Sequence, residues 1–270
     1  MKINCPLVTK VLARFICEET RKTGFNQVIL GLSGGLDSAV CASLAVQALG
    51  SRKVVALILP YANLDPEGLA QAEKMANLLK IKVSKIDISP QIDAYFSAFP
   101  TDNLVLKGNK MARERMSILY DFSAREKALI LGTSNKTELL IGYGTIHGDM
   151  ACGLNPMGDL YKTQVIELGQ YLKIPDEILT KKPTAALWPG QTDEEEIGLT
   201  YAELDQILFR LVDLRQSPDE VSQAGYDQKK IRRIIEMIKR SEFKRKMPPI
   251  AKISSRTVGH DFLYPYDWDK

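Results

Sequence analysis

The stretch Val28-Ile29-Leu30-Gly31-Leu32-Ser33-Gly34-Gly35-Leu36-Asp37-Ser38 decides the fold. Its first five residues are the short aliphatic run of a strand buried on both faces. The adjacent glycines let the backbone turn tightly, and apolar positions at helical spacing over 38–49 start a helix directly behind them. Strand, glycine turn and helix N-terminus together make an anion cradle, because free N–H groups and the positive end of the helix dipole meet there. The spacing is neither that of a Walker A loop nor that of a G-x-G-x-x-G fingerprint. Asp37 inside an anion site makes sense if it holds a magnesium ion shared with phosphates. The plainer alternative is a strand-to-helix turn with Asp37 or Ser38 as N-cap.

Working outward, three more aliphatic runs read as buried parallel strands: VVALIL at 54–59, VSKIDI at 83–88 and ALILG at 128–132. Helical patterns at 66–80 and 109–122 lie between them, so the first half is expected to form right-handed βαβ units in a doubly wound α/β sheet with helices on both faces. The expected strand order is 3-2-1-4, continued by a fifth strand to 3-2-1-4-5. Ligands then bind at the carboxyl ends of the first and fourth strands, just after Leu32 and Gly132. Beyond residue 150 the pattern changes to Pro- and Gly-containing loops and helices near 163–172, 200–213 and 227–241, read as a helical part of one domain over 1–270. Residues 181–198 carry two prolines and weak periodicity, the pattern of a long loop that closes over a site.

Composition narrows the function class. Thirty-six basic against 33 acidic residues give a net charge of +3, too little to imply nucleic acid. The start interrupts its apolar residues with Lys10, Arg14 and Glu18, which suits an amphipathic helix rather than a signal peptide, and no run is long enough for a membrane span. Cys5, Cys17, Cys41 and Cys152 form no CxxC pair and are read as buried thiols of a cytoplasmic protein.

With Ser33-Gly34-Gly35-Leu36-Asp37-Ser38, the chain resembles the ATP pyrophosphatase superfamily, which has an adenine nucleotide alpha hydrolase-like fold. Gly132-Thr133-Ser134-Asn135-Lys136-Thr137-Glu138, the segment GYGTIHGDMACGLNPMGDLYKTQV at 142–165 and KGNKMARERM at 107–116 resemble ammonia-dependent NAD synthetase in particular, from about residue 20 to 250. The resemblance implies that ATP and deamido-NAD are joined with ammonia to give NAD, AMP and pyrophosphate through an acyl adenylate. A glutaminase domain of roughly 250 residues would nearly fill this chain, so free ammonia is the expected nitrogen source unless a separate subunit delivers it. Homodimerisation, with the deamido-NAD site at the interface, is carried over from the family. The rival readings are another adenylating ligase or thiolase of the same superfamily and a non-catalytic ATP-binding regulator.

Site residues follow from the same resemblance. Residues Gly31, Leu32, Ser33, Gly34, Gly35, Leu36, Asp37 and Ser38 would bind ATP, with Thr133, Lys162 and Thr184 also on the nucleotide. Asp37 and Glu138 would be the magnesium ligands, although Asn135-x-x-Glu138 is also a capping box. Lys162 would neutralise phosphate charge, whereas on sequence alone it reads as a solvated surface lysine. Arg113 and Lys244 would contact deamido-NAD, and Asp149 would polarise or orient ammonia. Arg115 shares the apolar face of Met111 and Ile118 and reads as a packed, paired arginine, with Arg113 roughly opposite on an exposed face. The acidic run 193–196 reads as a helix start with a Thr192–Glu195 capping box, and Gly142, Gly144 and Gly148 as turns. Ile146, Ala186 and Phe243 depart from residues that some relatives carry.

Overall fold

In the computed structural model, residues 1–262 are described; the last eight residues of the expected 1–270 domain lie outside them. The chain runs α1 (Cys5–Lys22), β1 (Val28–Gly31), α2 (Leu36–Leu49), β2 (Val54–Ile58), α3 (Pro66–Leu79), β3 (Lys82–Lys85), α4 (Ser89–Ala98), α5 (Leu104–Glu126), β4 (Leu129–Ile130) and α6 (Lys136–Ile141). There follow α7 (Lys162–Tyr171), α8 (Asp176–Leu179), α9 (Asp193–Ile197), α10 (Tyr201–Leu208), α11 (Pro218–Gln223) and α12 (Gln228–Arg240).

Among the described residues the sheet is parallel, in the order β3-β2-β1-β4. Alternation along the buried strands sends Val28, Leu30, Val54 and Ala56 to one face, under α1, α2, α3 and α7. Ile29, Val55 and Leu57 go to the other, under α4 and α5 with Met111, Met116 and Leu119. Two aliphatic layers therefore clamp the sheet, which fixes the carboxyl ends of β1 and β4 as rigid mounts.

The fifth strand is reduced to a single parallel bridge between Leu131 and Leu154. Gly132 N–H donates to the Leu154 carbonyl at 2.7 Å, after which Asn155 and Pro156 lead the chain away. The third strand is shorter and more exposed than its apolar run implied. It occupies the sheet edge, where Lys82 and Lys85 face solvent, as edge strands tolerate. Ile86 and Ile88 still donate to the carbonyls of Ile58 and Pro60, but as loop. Helix α4 was not expected from the sequence.

The helical part expected from about 163 divides in two. Helix α7 packs on α2 beside the sheet, whereas α10, α11 and α12 enclose their own core of Leu204, Ile207, Leu208, Val221, Ile231 and Ile234, closed by Ile141 of α6. Of the four free thiols, Cys5 and Cys41 are buried and Cys17 and Cys152 half-buried. Among the described residues no helix is long and apolar enough to cross a membrane.

Candidate active site

A cavity of about 900 Å3 opens over the carboxyl ends of β1 and β4, where the order of the sheet reverses. Residues 31–33 and 35–38 line it, as do Thr133, Glu138, Asp149, Lys162, Thr184 and Lys244. Two of the sequence candidates, Gly34 and Arg113, are not part of its lining.

Gly34 has a positional reason of its own. Its φ is +81°, and a Cβ there would strike the Gly68 carbonyl in the first turn of α3. The turn is thus seated against α3, whose N-cap Asp65 accepts from Gly68 N–H at 2.8 Å. Neither Asp37 nor Ser38 is the N-cap of α2; that place belongs to Gly35, which has no side chain to cap with. Ser38 instead reaches back, donating to the Gly35 carbonyl at 2.9 Å and accepting from Ser33 N–H at 3.2 Å. Among the described residues no side chain caps the start of α2, which leaves its first N–H groups to water or an anion.

Asn135 assembles the acidic half of the site. Its Nδ2 donates to Asp37 Oδ1 at 2.9 Å and to Glu138 Oε1 at 2.7 Å, so one amide bridges carboxylates from two helix starts. The Asn135–Glu138 capping box is also formed, so Glu138 serves both as cap and as cavity wall. Lys162, the first residue of α7, is only 4% exposed, which overturns its reading as a surface lysine. Its ammonium pairs with Asp37 and lies 3.9 Å from Glu138. Burial alone would lower its pKa, but Asp37 and Glu138 outweigh that and hold it above the ordinary lysine range. Burial, and then Asp37, push the Glu138 carboxyl well above the usual carboxylate range.

At the other end of the cavity Asp149 accepts from Thr145 N–H at 2.8 Å. It faces the open cavity while ringed by protein, and this loss of water raises its pKa, with the Thr145 N–H and Lys244 pulling it back. Lys244 Nζ donates to the carbonyls of Gly142 and Gly144, both at 2.7 Å, which places it at the site despite its neighbours in a basic run. Arg115 is packed as expected but, among the described residues, not ion-paired: it donates to the Leu59 carbonyl at 3.0 Å instead, and it also lines the cavity. Burial lowers its pKa to about 10, so it stays charged at neutral pH. Arg113 is exposed and donates to the Ile146 carbonyl at 3.2 Å.

Asp193 is a site residue that sequence reading passed over as part of a helix start. The helix is there, but Thr192 makes no side-chain cap and the expected box does not form. Asp193 is buried against the cavity and accepts from the hydroxyls of Tyr143 at 3.0 Å and Tyr201 at 3.1 Å. The Tyr201 ring lies 5.3 Å from the Lys162 ammonium. These partners are 50 and 8 residues away, and no local pattern announces the first of them.

Residues 180–188 form one wall of the cavity. Lys181 pairs with Asp65 at 2.9 Å, Gln191 accepts from Leu187 N–H at 2.8 Å, and Gln191 donates to Glu196 at 3.1 Å. Ala186 holds a left-handed φ of 48°, a strained position for alanine, with its N–H donating to Thr184 Oγ1. This wall is expected to tighten on ligand: amide exchange across 181–192 should slow by up to about 100-fold at a ligand concentration 100 times Kd. The measurement is hydrogen exchange with ATP and deamido-NAD together, against each alone. Unchanged exchange, together with an active Thr184→Ala, removes the closing role.

A glycine turn between strand and helix thus faces two carboxylates across the switch point of a parallel sheet, the place where open α/β sheets bind their ligands. The chain belongs to the NAD synthase family, whose sequence profile matches residues 8–248. It is 49% identical to an NH(3)-dependent NAD(+) synthetase of Trichlorobacter lovleyi, over the whole of this chain and 99% of the relative. Among solved structures, it is similar to an NMN synthetase from Francisella tularensis, with a TM-score of 0.83 and 36% identity over 93% of this chain and all of that one. It is also similar to an NH3-dependent NAD synthetase from Campylobacter jejuni bound to nitrate, with a TM-score of 0.79 and 34% identity over the same shares.

Proposed function

We propose that this protein amidates deamido-NAD with ammonia at the expense of ATP, giving NAD, AMP and pyrophosphate. The observation that carries the chemistry is the meeting of Asp37 and Glu138 on the Lys162 ammonium beneath the glycine turn. In the first step the nicotinate carboxylate oxygen attacks the α-phosphorus, the bond to the bridging oxygen breaks, and pyrophosphate leaves with its electron pair. Lys162, raised in pKa and held in place, neutralises charge on the departing group. The glycine turn supplies N–H groups to the phosphates, Thr133 and Thr184 hold the nucleotide, and Lys244 holds the dinucleotide acceptor. In the second step ammonia attacks the acyl carbon, AMP leaves with the former carboxylate oxygen, and Asp149 accepts the proton that nitrogen sheds.

Magnesium fits the residues present. Asp37 and Glu138 offer hard carboxylate oxygens drawn together by one Asn135 amide, and magnesium is characteristically held by one or two carboxylates with substrate phosphates completing its shell. When bound there it would neutralise charge on the phosphates.

We also propose that two copies pair, with deamido-NAD bound partly by the second. Arg113 lies outside the cavity of its own chain, on the helix that begins with Leu104, Val105 and Leu106, which are 48–57% exposed beside Phe99 at 65%. Sedimentation should give a dimer mass, and Leu106→Glu should shift it toward the monomer while raising KM for deamido-NAD. A monomeric wild type at micromolar concentration excludes the pairing.

The reaction itself is tested with purified protein, ATP, magnesium and deamido-NAD. NAD and equimolar AMP should form with ammonium and not with ammonia-free glutamine. Nicotinic acid mononucleotide is the acceptor to set against deamido-NAD, given the likeness to an NMN synthetase; a higher kcat/KM with it would reassign the substrate. Binding of ATP without pyrophosphate release with any acceptor would leave a regulator.

Asp149→Asn should lower NAD formation roughly 100-fold. Because loss of water raises the Asp149 pKa above its ordinary 3.8, its ionised form disappears at a higher pH than for a free carboxylate. With kcat/KM expressed per NH3, so that ionisation of ammonium drops out, the acid limb should lie above that of a free aspartate and vanish in Asp149→Asn. A limb that survives the substitution assigns it to another group.

A further inference from the structure

Asp205 sits on α10, in the helical layer away from the sheet, and is fully buried, yet the reaction above makes no use of it. Its two oxygens reach two other helices. Oδ1 accepts from Thr137 Oγ1 at 2.6 Å, and Oδ2 accepts from the Thr163 backbone N–H at 2.8 Å. Thr137 Oγ1 in turn accepts from the Lys162 N–H at 3.0 Å. Thr137 immediately precedes Glu138 on α6, and Thr163 immediately follows Lys162 on α7. One carboxylate and one hydroxyl thus tie together the two helix starts that carry the charged pair of the site.

A carboxylate is costly to bury unless it is hydrogen-bonded, and capping α7 alone would not require one from a third helix. At the start of α7 Gln164 accepts from Tyr161 N–H at 2.9 Å, while the Lys162 and Thr163 N–H groups are taken by Thr137 and Asp205, so the cap of α7 is itself built from α6 and α10. What Asp205 adds is a fixed relation between α6 and α7. Such relations matter at a reacting centre, where a misplacement of about 1 Å costs on the order of 100-fold in rate.

We propose that Asp205 is a positioning residue for adenylation, setting the separation of the Glu138 carboxylate and the Lys162 ammonium through Thr137 and Thr163. This rests on the assignment of that pair to pyrophosphate release. Asp205→Asn keeps the size and an acceptor for Thr163 N–H but removes the charge and the paired acceptor for Thr137. Thr137→Val keeps the shape and removes the hydroxyl, and Thr137→Ser retains it.

The experiment measures kcat and KM for pyrophosphate release with deamido-NAD, alongside the thermal midpoint, in wild type, the three single variants and the Asp205→Asn/Thr137→Val double variant. Asp205→Asn and Thr137→Val should each lower kcat about 10- to 100-fold, with KM for deamido-NAD changed by less than about twofold. Thr137→Ser should recover most of the rate. The double variant should resemble the slower single variant, because both act through one linkage. A folded Asp205→Asn or Thr137→Val with wild-type kcat overturns the proposal. So does a double variant whose loss is the product of the two, or a rate that falls only in proportion to folded protein. If Asp205→Asn does not fold, Thr137→Val against Thr137→Ser decides. A wild type that releases no pyrophosphate with deamido-NAD overturns the assigned reaction instead, a result distinct from an active wild type beside an equally active Asp205→Asn.

Discussion

Asp37→Ala and Glu138→Ala are each expected to reduce magnesium-dependent pyrophosphate release by about 100- to 1,000-fold while leaving the fold intact. Either change removes half of a pair that one Asn135 amide draws together, and the remaining carboxylate keeps its contact with Lys162. The fold survives because Asp37 lies in the first turn of α2, whose other face is locked into the aliphatic core by Ala39, Val40 and Leu44. Steady-state pyrophosphate release against magnesium concentration, with circular dichroism as control, checks the pair. Turnover within about threefold of wild type in either variant would remove that residue from the charge-handling site.

Lys162→Met should show the second large effect, in stability as well as rate. Removing one partner of a buried ion pair typically costs about 3–5 kcal/mol, since the other charge stays buried without compensation. Here two carboxylates lose their shared cation. The folded pKa of Lys162 lies above its ordinary 10.5. Its contribution is therefore complete below that ordinary value and is lost only as pH rises through the folded one. Between about pH 6 and 9 lysine titration leaves the deficit unchanged. Glu138 moves it instead: its pKa is raised, so acidification protonates it and removes one of the stranded charges. The deficit in urea denaturation should accordingly narrow as pH falls. A deficit under about 1 kcal/mol, the range of surface pairs, would mean that the ammonium is not holding the carboxylates together.

Much of this architecture was legible in the chain because it is encoded locally. The glycine turn with its strand and helix, the Asn135–Glu138 cap and the aliphatic runs at 28–32 and 54–59 each contain their own reason within a dozen residues. The edge strand was over-read, because VSKIDI has the composition of a buried strand and only its place in the sheet exposes Lys82 and Lys85. Asp193 was missed, and Lys162 reached only through the resemblance, for a different reason. Their burial depends on partners 125 and 50 residues away, and a lysine at a helix start or an acid in an acidic run looks solvated until those partners are in place. Arg115 was read correctly as packed, but packing and lining a cavity are the same event when the wall of the cavity is the core's edge.

The seat of Gly34 on the Gly68 carbonyl makes the phosphate turn and the start of α3 one thermodynamic unit. A ligand gripped by that turn can be held well only while α3 is wound, so occupancy and winding must favour one another by the same factor. If the turn holds the nucleotide as proposed, its affinity is heritable through positions that never touch the ligand: a change that frays α3, or loosens its Asp65 cap from Lys181, would weaken ATP as surely as one in the turn itself.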